Sequence, residues 1–153
     1  MKSVHLKCSS KPRFAVIVSR FNEGITEQLL QACLNEFSRN KVCECEVQVV
    51  RVPGAFEIPV TAMKMAMRKN ISAVICLGAI IRGQTLHYEL IAAETARGAQ
   101  EVALRTGKPV VFEVLAADTV ALCQARAKVG DRDNKGASAA RVAIEMVEVF
   151  RKN

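Results

Sequence analysis

The segment Gly83-Gln84-Thr85-Leu86-His87 holds the densest set of chemistry-competent groups in this 153-residue chain. It follows a short apolar run, Ala73 to Leu77, which breaks at Gly78, and it leads into a long stretch with helical spacing. Backbone N–H groups ahead of a helix, with the positive end of its dipole, make a ready anion site, phosphate being the commonest guest. The plainer reading is an N-cap threonine among loop glycines. His87 falls in the first turn of that helix, where an imidazole can relay protons. His5, near the N-terminus, has no such context. Neither a P-loop nor a dinucleotide fingerprint is present, so a nucleoside triphosphate or NAD is not indicated.

Other polar and aromatic residues fall in loops that could share this edge. Phe21 and Phe56 could fold back into the core, or could form an aromatic face for a flat heterocycle. Glu57 could accept hydrogen bonds from hydroxyls, or serve as an acidic residue at a helix start. Arg126, Arg132 and Lys135 are either solvated charges or the counter-charge to a phosphate. Together these residues suggest an enzyme site for a flat, phosphate-associated substrate.

The elements that must position them alternate strand with helix. Strands are expected over Phe14–Val18, Val47–Val52, Ala73–Leu77 and Val110–Leu115. Helices are expected over Thr26–Asn40, Pro59–Asn70, Leu86–Thr106, Thr119–Ala127 and Gly136–Lys152. The strands are apolar on both faces, which predicts a parallel sheet covered on both sides. The expected fold is therefore a three-layer α/β/α sandwich with a four-stranded parallel sheet in flavodoxin-like order. One domain accounts for residues 1–153, with 1–12 as an N-terminal arm. In such sheets a ligand sits outside the carboxyl ends of the strands. That rule nominates the loops Ser19–Gly24, Pro53–Ile58, Gly78–His87 and the one after Leu115.

Composition narrows the class. Half of the residues are hydrophobic and no apolar run approaches the roughly 18 needed to span a membrane. The polar N-terminus carries no apolar signal segment, so a cytoplasmic protein is expected. The net charge of +7 comes from 22 scattered basic residues, with no basic run, a single Tyr and no Trp. Nucleic-acid binding is therefore not expected. Of six cysteines, Cys33 and Cys76 sit in apolar patterns, and Cys8 and Cys123 stand alone. Cys43 and Cys45 are too close together for an ordinary disulfide or a recognised zinc spacing. No metal site is expected.

Several separated segments, in order, resemble one family. VPGAFEIP at Val52–Pro59 and LGAIIRGQTLHYE at Leu77–Glu89 are similar to signature segments of the 6,7-dimethyl-8-ribityllumazine synthases. SRFN at Ser19–Asn22, GKPVVF ending at Phe112, and NKG at Asn134–Gly136 match as well. The resemblance implies condensation of 5-amino-6-(D-ribitylamino)uracil with 3,4-dihydroxy-2-butanone 4-phosphate, without metal or organic cofactor. It implies that Phe21 stacks on the pyrimidine, that Ala55, Phe56 and Glu57 hold ribityl chain and ring, and that Ala79, Ile80 and Ile81 line the pyrimidine pocket. Gln84 and Thr85 would receive the phosphate and His87 would transfer protons. Phe112, Lys135 and the phosphate-neutralising Arg126 would arrive from a neighbouring subunit, in a homo-oligomer built from pentamers. Riboflavin synthase is a further candidate partner.

The chain also departs from the family pattern. Gln84 stands where a small residue is common, and Glu113 where Gly is frequent. RAKVGDRDNKG is one residue longer than usual, which keeps Arg132 open as the alternative phosphate ligand. A non-catalytic lumazine or flavin carrier of the same fold is the rival reading.

Overall fold

The computed structural model describes residues 11–153. The expected arm lies outside the described residues except for Lys11 and Pro12, and so do His5 and Cys8. Four parallel strands, β1 (Phe14–Ser19), β2 (Val47–Val52), β3 (Ala73–Ile81) and β4 (Val110–Ala117), form a sheet in the order β2-β1-β3-β4. Five helices cover it: α1 (Glu23–Arg39), α2 (Ile58–Ala66), α3 (His87–Thr106), α4 (Val120–Ala127) and α5 (Lys135–Lys152). One-turn 3-10 helices at Glu44–Glu46 and Ala55–Glu57 precede β2 and α2. This is the expected three-layer α/β/α sandwich with the flavodoxin-like order.

The period-two alternation of each strand divides the core into two layers. Phe14, Val16 and Val18 of β1, with Ile75 and Leu77 of β3, pack under α1, α4 and α5. Ala15 and Ile17, with Val74 and Cys76, pack under α2 and α3. Every residue of β1 is buried because it has a strand on each side and helices on each face. Complete burial of a side chain such as Ile17 contributes up to about 3 kcal/mol. Phe14 also meets Phe37 of α1, with ring centroids 4.7 Å apart. The expectation of burial on both faces holds for β1 and β3 only. β2 and β4 are the sheet's edges, and Val49 and Phe112 stand partly exposed there.

Two boundaries differ from the sequence expectation. β3 does not stop at Gly78 but continues in register with β4 to the pair Ile81–Ala117. Gly78 is not a turn residue. A Cβ there would lie 3.0 Å from Val114 Cγ1, 3.2 Å from Ser19 Oγ and 3.3 Å from Ile58 Cδ1, so its hydrogen lets three elements close together. α2 ends at Ala66 rather than Asn70, its last N–H groups turning back to Met63 and Met65. Its methionines divide as their spacing requires, with Met65 buried and Met67 exposed.

The start of α5 is fixed by two residues of one tripeptide. The Asn134 side-chain oxygen accepts from the N–H groups of Gly136 (2.8 Å) and Ala137 (3.2 Å), capping the helix. Its Nδ2 donates to the Ala127 carbonyl at 2.6 Å, tying in the end of α4. Gly136 lies against α1 so closely that a Cβ would overlap the Leu29 carbonyl. That neighbour is backbone and cannot rotate away. Gly136→Ala is expected to lose about 3 kcal/mol in denaturant unfolding. Gly24→Ala, in the open first turn of α1 with no atom within 4 Å of the added carbon, should gain up to about 1 kcal/mol. Equal effects at the two glycines would remove the steric account.

Candidate active site

Three of the four nominated loops converge where the chain leaves β1, β2 and β3. Because β2 and β3 flank β1 on opposite sides, the connections from β1 and β3 diverge and leave a crevice above the sheet. The first loop is joined to the second by backbone bonds from Arg20 N–H to the Val52 carbonyl (2.8 Å) and from Phe21 N–H to the Pro53 carbonyl (3.0 Å). Asn22 then adopts a left-handed backbone, φ 61°, a conformation asparagine tolerates better than most residues. Its carbonyl accepts from Ile25 and Thr26 N–H to begin α1, and its Nδ2 donates to the Ala79 carbonyl of β3 at 2.8 Å. One asparagine thus ties the β1 loop to the β3 strand and leaves Phe21 projecting, 71 % exposed.

The second loop is closed by Glu57, whose Oε2 accepts from the Gly54 N–H at 2.9 Å. This carboxylate therefore has a structural part, holding the 3-10 turn that places Phe56 at 56 % exposure. Neither Phe21 nor Phe56 folds back into the core; both rings project and line the cleft described below.

The third loop leads into α3, whose N-cap residue is Leu86 with no side-chain cap bond. The Thr85 hydroxyl accepts from the His87 N–H at 3.4 Å, a long contact. The helix therefore starts without a strong internal acceptor, which suits an incoming anion. His87, the first residue of α3, is exposed at this end.

A cleft of about 520 Å³ lies among these loops. Nine of the residues nominated from sequence line it: Phe21, Ala55, Phe56, Glu57, Ala79, Ile80, Ile81, Thr85 and His87. Gln84 is exposed in the same loop but does not line the cleft. Phe112 on edge strand β4, Arg126 in the last turn of α4, and Lys135 at the start of α5 also lie away from it. Tyr88 and Ile91 line the cleft and were missed by the sequence reading. Their signal was available: Ile91 falls three residues after Tyr88 and four after His87, the spacings that bring side chains together on a helix.

A basic residue next to the cleft is already engaged within the chain. Arg82 donates to Asp118 at 2.5 Å, pairs closely with Glu89, and stacks 4.7 Å from the Tyr88 ring centre. Bonding to Asp118 and then to Glu89 raises its pKa further and keeps its charge engaged. Asp118 follows β4, so the fourth nominated loop reaches the rim through this pair instead of lining the cleft. Arg126 and Arg132 are exposed and lack an ion pair among the described residues. Burial raises the Glu113 carboxyl above its usual range, partly opposed by the charge of Lys135. No cluster of three or more metal-ligating side chains occurs among the described residues, and no helix there is long and apolar enough to cross a membrane.

A sequence model of the family described as 6,7-dimethyl-8-ribityllumazine synthase matches residues 11–151. The geometry of Asn22 yields a test that needs no substrate. Asn22→Gly keeps the left-handed backbone and loses the bond to Ala79, for an expected cost of about 1 kcal/mol. Asn22→Ala should cost roughly 1–2 kcal/mol more, since a Cβ is disfavoured at this φ. Chemical unfolding of both variants reads the difference, and an alanine variant as stable as the glycine one would exclude backbone strain.

Proposed function

This chain belongs to the 6,7-dimethyl-8-ribityllumazine synthase family, transferases of riboflavin biosynthesis, and from that membership we propose its reaction and the residues that perform it. The substrates are 5-amino-6-(D-ribitylamino)uracil and 3,4-dihydroxy-2-butanone 4-phosphate; the products are the lumazine, inorganic phosphate and water. The observation that carries this reading is the cleft itself. It combines two projecting aromatic rings, an uncapped helix start and a histidine in that helix's first turn.

The chemistry needs these groups and little else. The uracil amine attacks the ketone carbonyl and loses water to give an imine, a step limited by moving protons more than by nucleophile strength. One imidazole at His87 suffices for that relay. Breaking the carbon–oxygen bond to phosphate develops charge on the leaving group. Backbone N–H groups at the start of α3, with Thr85 and Gln84 beside them, would receive it. Loss of the neighbouring C–H proton with the phosphate leaves an enol, which tautomerises to a new ketone; the ribitylamino nitrogen attacks that carbonyl, and loss of a second water closes the ring. Phe21 would stack on the flat pyrimidine, backbone at Ala79, Ile80 and Ile81 would line its edge, and Ala55, Phe56 and Glu57 would hold ring and ribityl chain. Holding both substrates in one cleft supplies much of the remaining acceleration.

The missing counter-charge supports a shared site. Arg82 is paired within its own chain, whereas Arg126, Lys135 and Phe112 lie outside the chain's own cleft. In a homopentamer they would complete the cleft of the next subunit, Arg126 neutralising the phosphate and Phe112 and Lys135 closing over the uracil. Exposed apolar side chains on the α2–α3 layer, Val60, Met67, Leu90 and Leu104 among them, support burial between subunits.

The purified protein should convert the two substrates into the fluorescent lumazine without added metal, and His87→Ala should lower kcat by roughly 10²-fold or more with the fold retained. Product formation separates an enzyme from a carrier, and a wild-type rate in the variant would remove His87 from the relay. Arg126→Ala should raise KM for the butanone phosphate more than Arg132→Ala does; the reverse order would move the phosphate ligand to Arg132. Assembling His87→Ala and Arg126→Ala subunits together should restore activity to sites that receive both wild-type residues. No recovery on mixing would argue that the two residues serve the same chain's site.

A further inference from the structure

The thiols of Cys43 and Cys45 lie 2.9 Å apart at the surface, at the end of the sheet opposite the cleft. That separation is far shorter than ordinary sulfur–sulfur contact and needs only a small closure to reach disulfide bonding distance. We propose that Cys43 and Cys45 form a redox-active dithiol that closes to an intramolecular disulfide by exchange with small-molecule disulfides such as oxidised glutathione.

The local fold holds the pair in place. Cys43 and Cys45 sit on the 3-10 turn that enters β2, which is held by Glu46: its carboxylate accepts from the Cys43 N–H at 3.0 Å, and its N–H donates to the Cys43 carbonyl at 2.9 Å. The two sulfurs are thus brought together by a turn fixed through a third, mostly buried residue. Sequence spacing had argued against an ordinary disulfide here. The alternative is a tight ring across a single intervening residue. Such a ring closes little chain and gains little unfolded-state entropy, which makes it readily reducible.

The two thiols are not equivalent. The Cys45 thiol donates to the Cys43 sulfur, which lowers the pKa of Cys43 and raises that of Cys45. Cys43 is accordingly the attacking thiolate. It attacks one sulfur of the external disulfide, breaking that S–S bond and releasing a thiolate, and is left as a mixed disulfide. Cys45, losing its proton to solvent, then attacks the Cys43 sulfur and expels the second thiolate. The protein loses two electrons and two protons, and the external disulfide becomes two thiols. Cys33 and Cys76 are unsuited to this chemistry: both are buried, with pKa values pushed up to about 12 by desolvation. Cys123 is buried as well.

The whole protein is incubated with oxidised glutathione and unreacted thiols are alkylated. Mapping by mass spectrometry, peptide by peptide, keeps Cys8 separate. The peptide holding both cysteines should lose two hydrogens and both alkylation sites together, and dithiothreitol should restore them. Cys45→Ser should instead retain glutathione on Cys43, because no resolving thiol remains. Cys43→Ser should gain it more slowly on Cys45. Lumazine formation, measured in parallel, should be unchanged in both variants. Independent glutathionylation of both cysteines in the wild type, or faster attack by Cys45 than by Cys43, would overturn the proposal.

Discussion

The parallel pairing of β1 with β3 at the centre of the sheet is the constraint on which everything else depends. Neither strand has a solvent-facing side, so both are apolar almost throughout. The register Phe14–Ala73 through Val18–Leu77 fixes where each strand delivers its loop. Since β2 lies beyond β1 and β4 beyond β3, the chain must cross the sheet between them, and the crevice opens where it does so. Gly78 lets this pairing continue past the point where a side chain would have wedged β1, β4 and α2 apart. The cleft is a product of sheet topology before it is a product of any polar residue.

Charge is distributed around that cleft in a way that local sequence conceals. Arg82 immediately precedes the loop that leads into α3, but two carboxylates and an aromatic ring already engage it. Its work is to brace the start of α3 against the end of β4. The uncapped helix start is thereby held in place while its positive end stays open, an arrangement that favours an arriving anion over an internal partner.

Each short motif divides between residues that shape backbone and residues that face the cleft or its surroundings. In SRFN, Asn22 takes the left-handed turn and ties β3, while Phe21 projects. In PGAFE, Glu57 closes the turn on Gly54 and Phe56 projects. In NKG, Asn134 caps and ties, Gly136 permits helix contact, and Lys135 stands between them. In SRFN and PGAFE the residues that shape the backbone set the orientation of the one that projects.

The sequence by itself determined the strand–helix alternation, the parallel class and the candidate loops, because two-face burial and helical periodicity are written locally along the chain. It also placed His87 in the first turn of a helix, from the helical spacing of the residues that follow. Tertiary structure decided the rest. Whether Phe21 and Phe56 point inward or outward depends on bonds to residues distant in the chain, and so does the engagement of Arg82 with Asp118. The role of Gly78 was misread for the same reason: a glycine that makes room for neighbours and one that turns the chain look identical until those neighbours are in place. Cys43 and Cys45 are free thiols, and their close approach is set by the 3-10 turn, which spacing alone did not reveal.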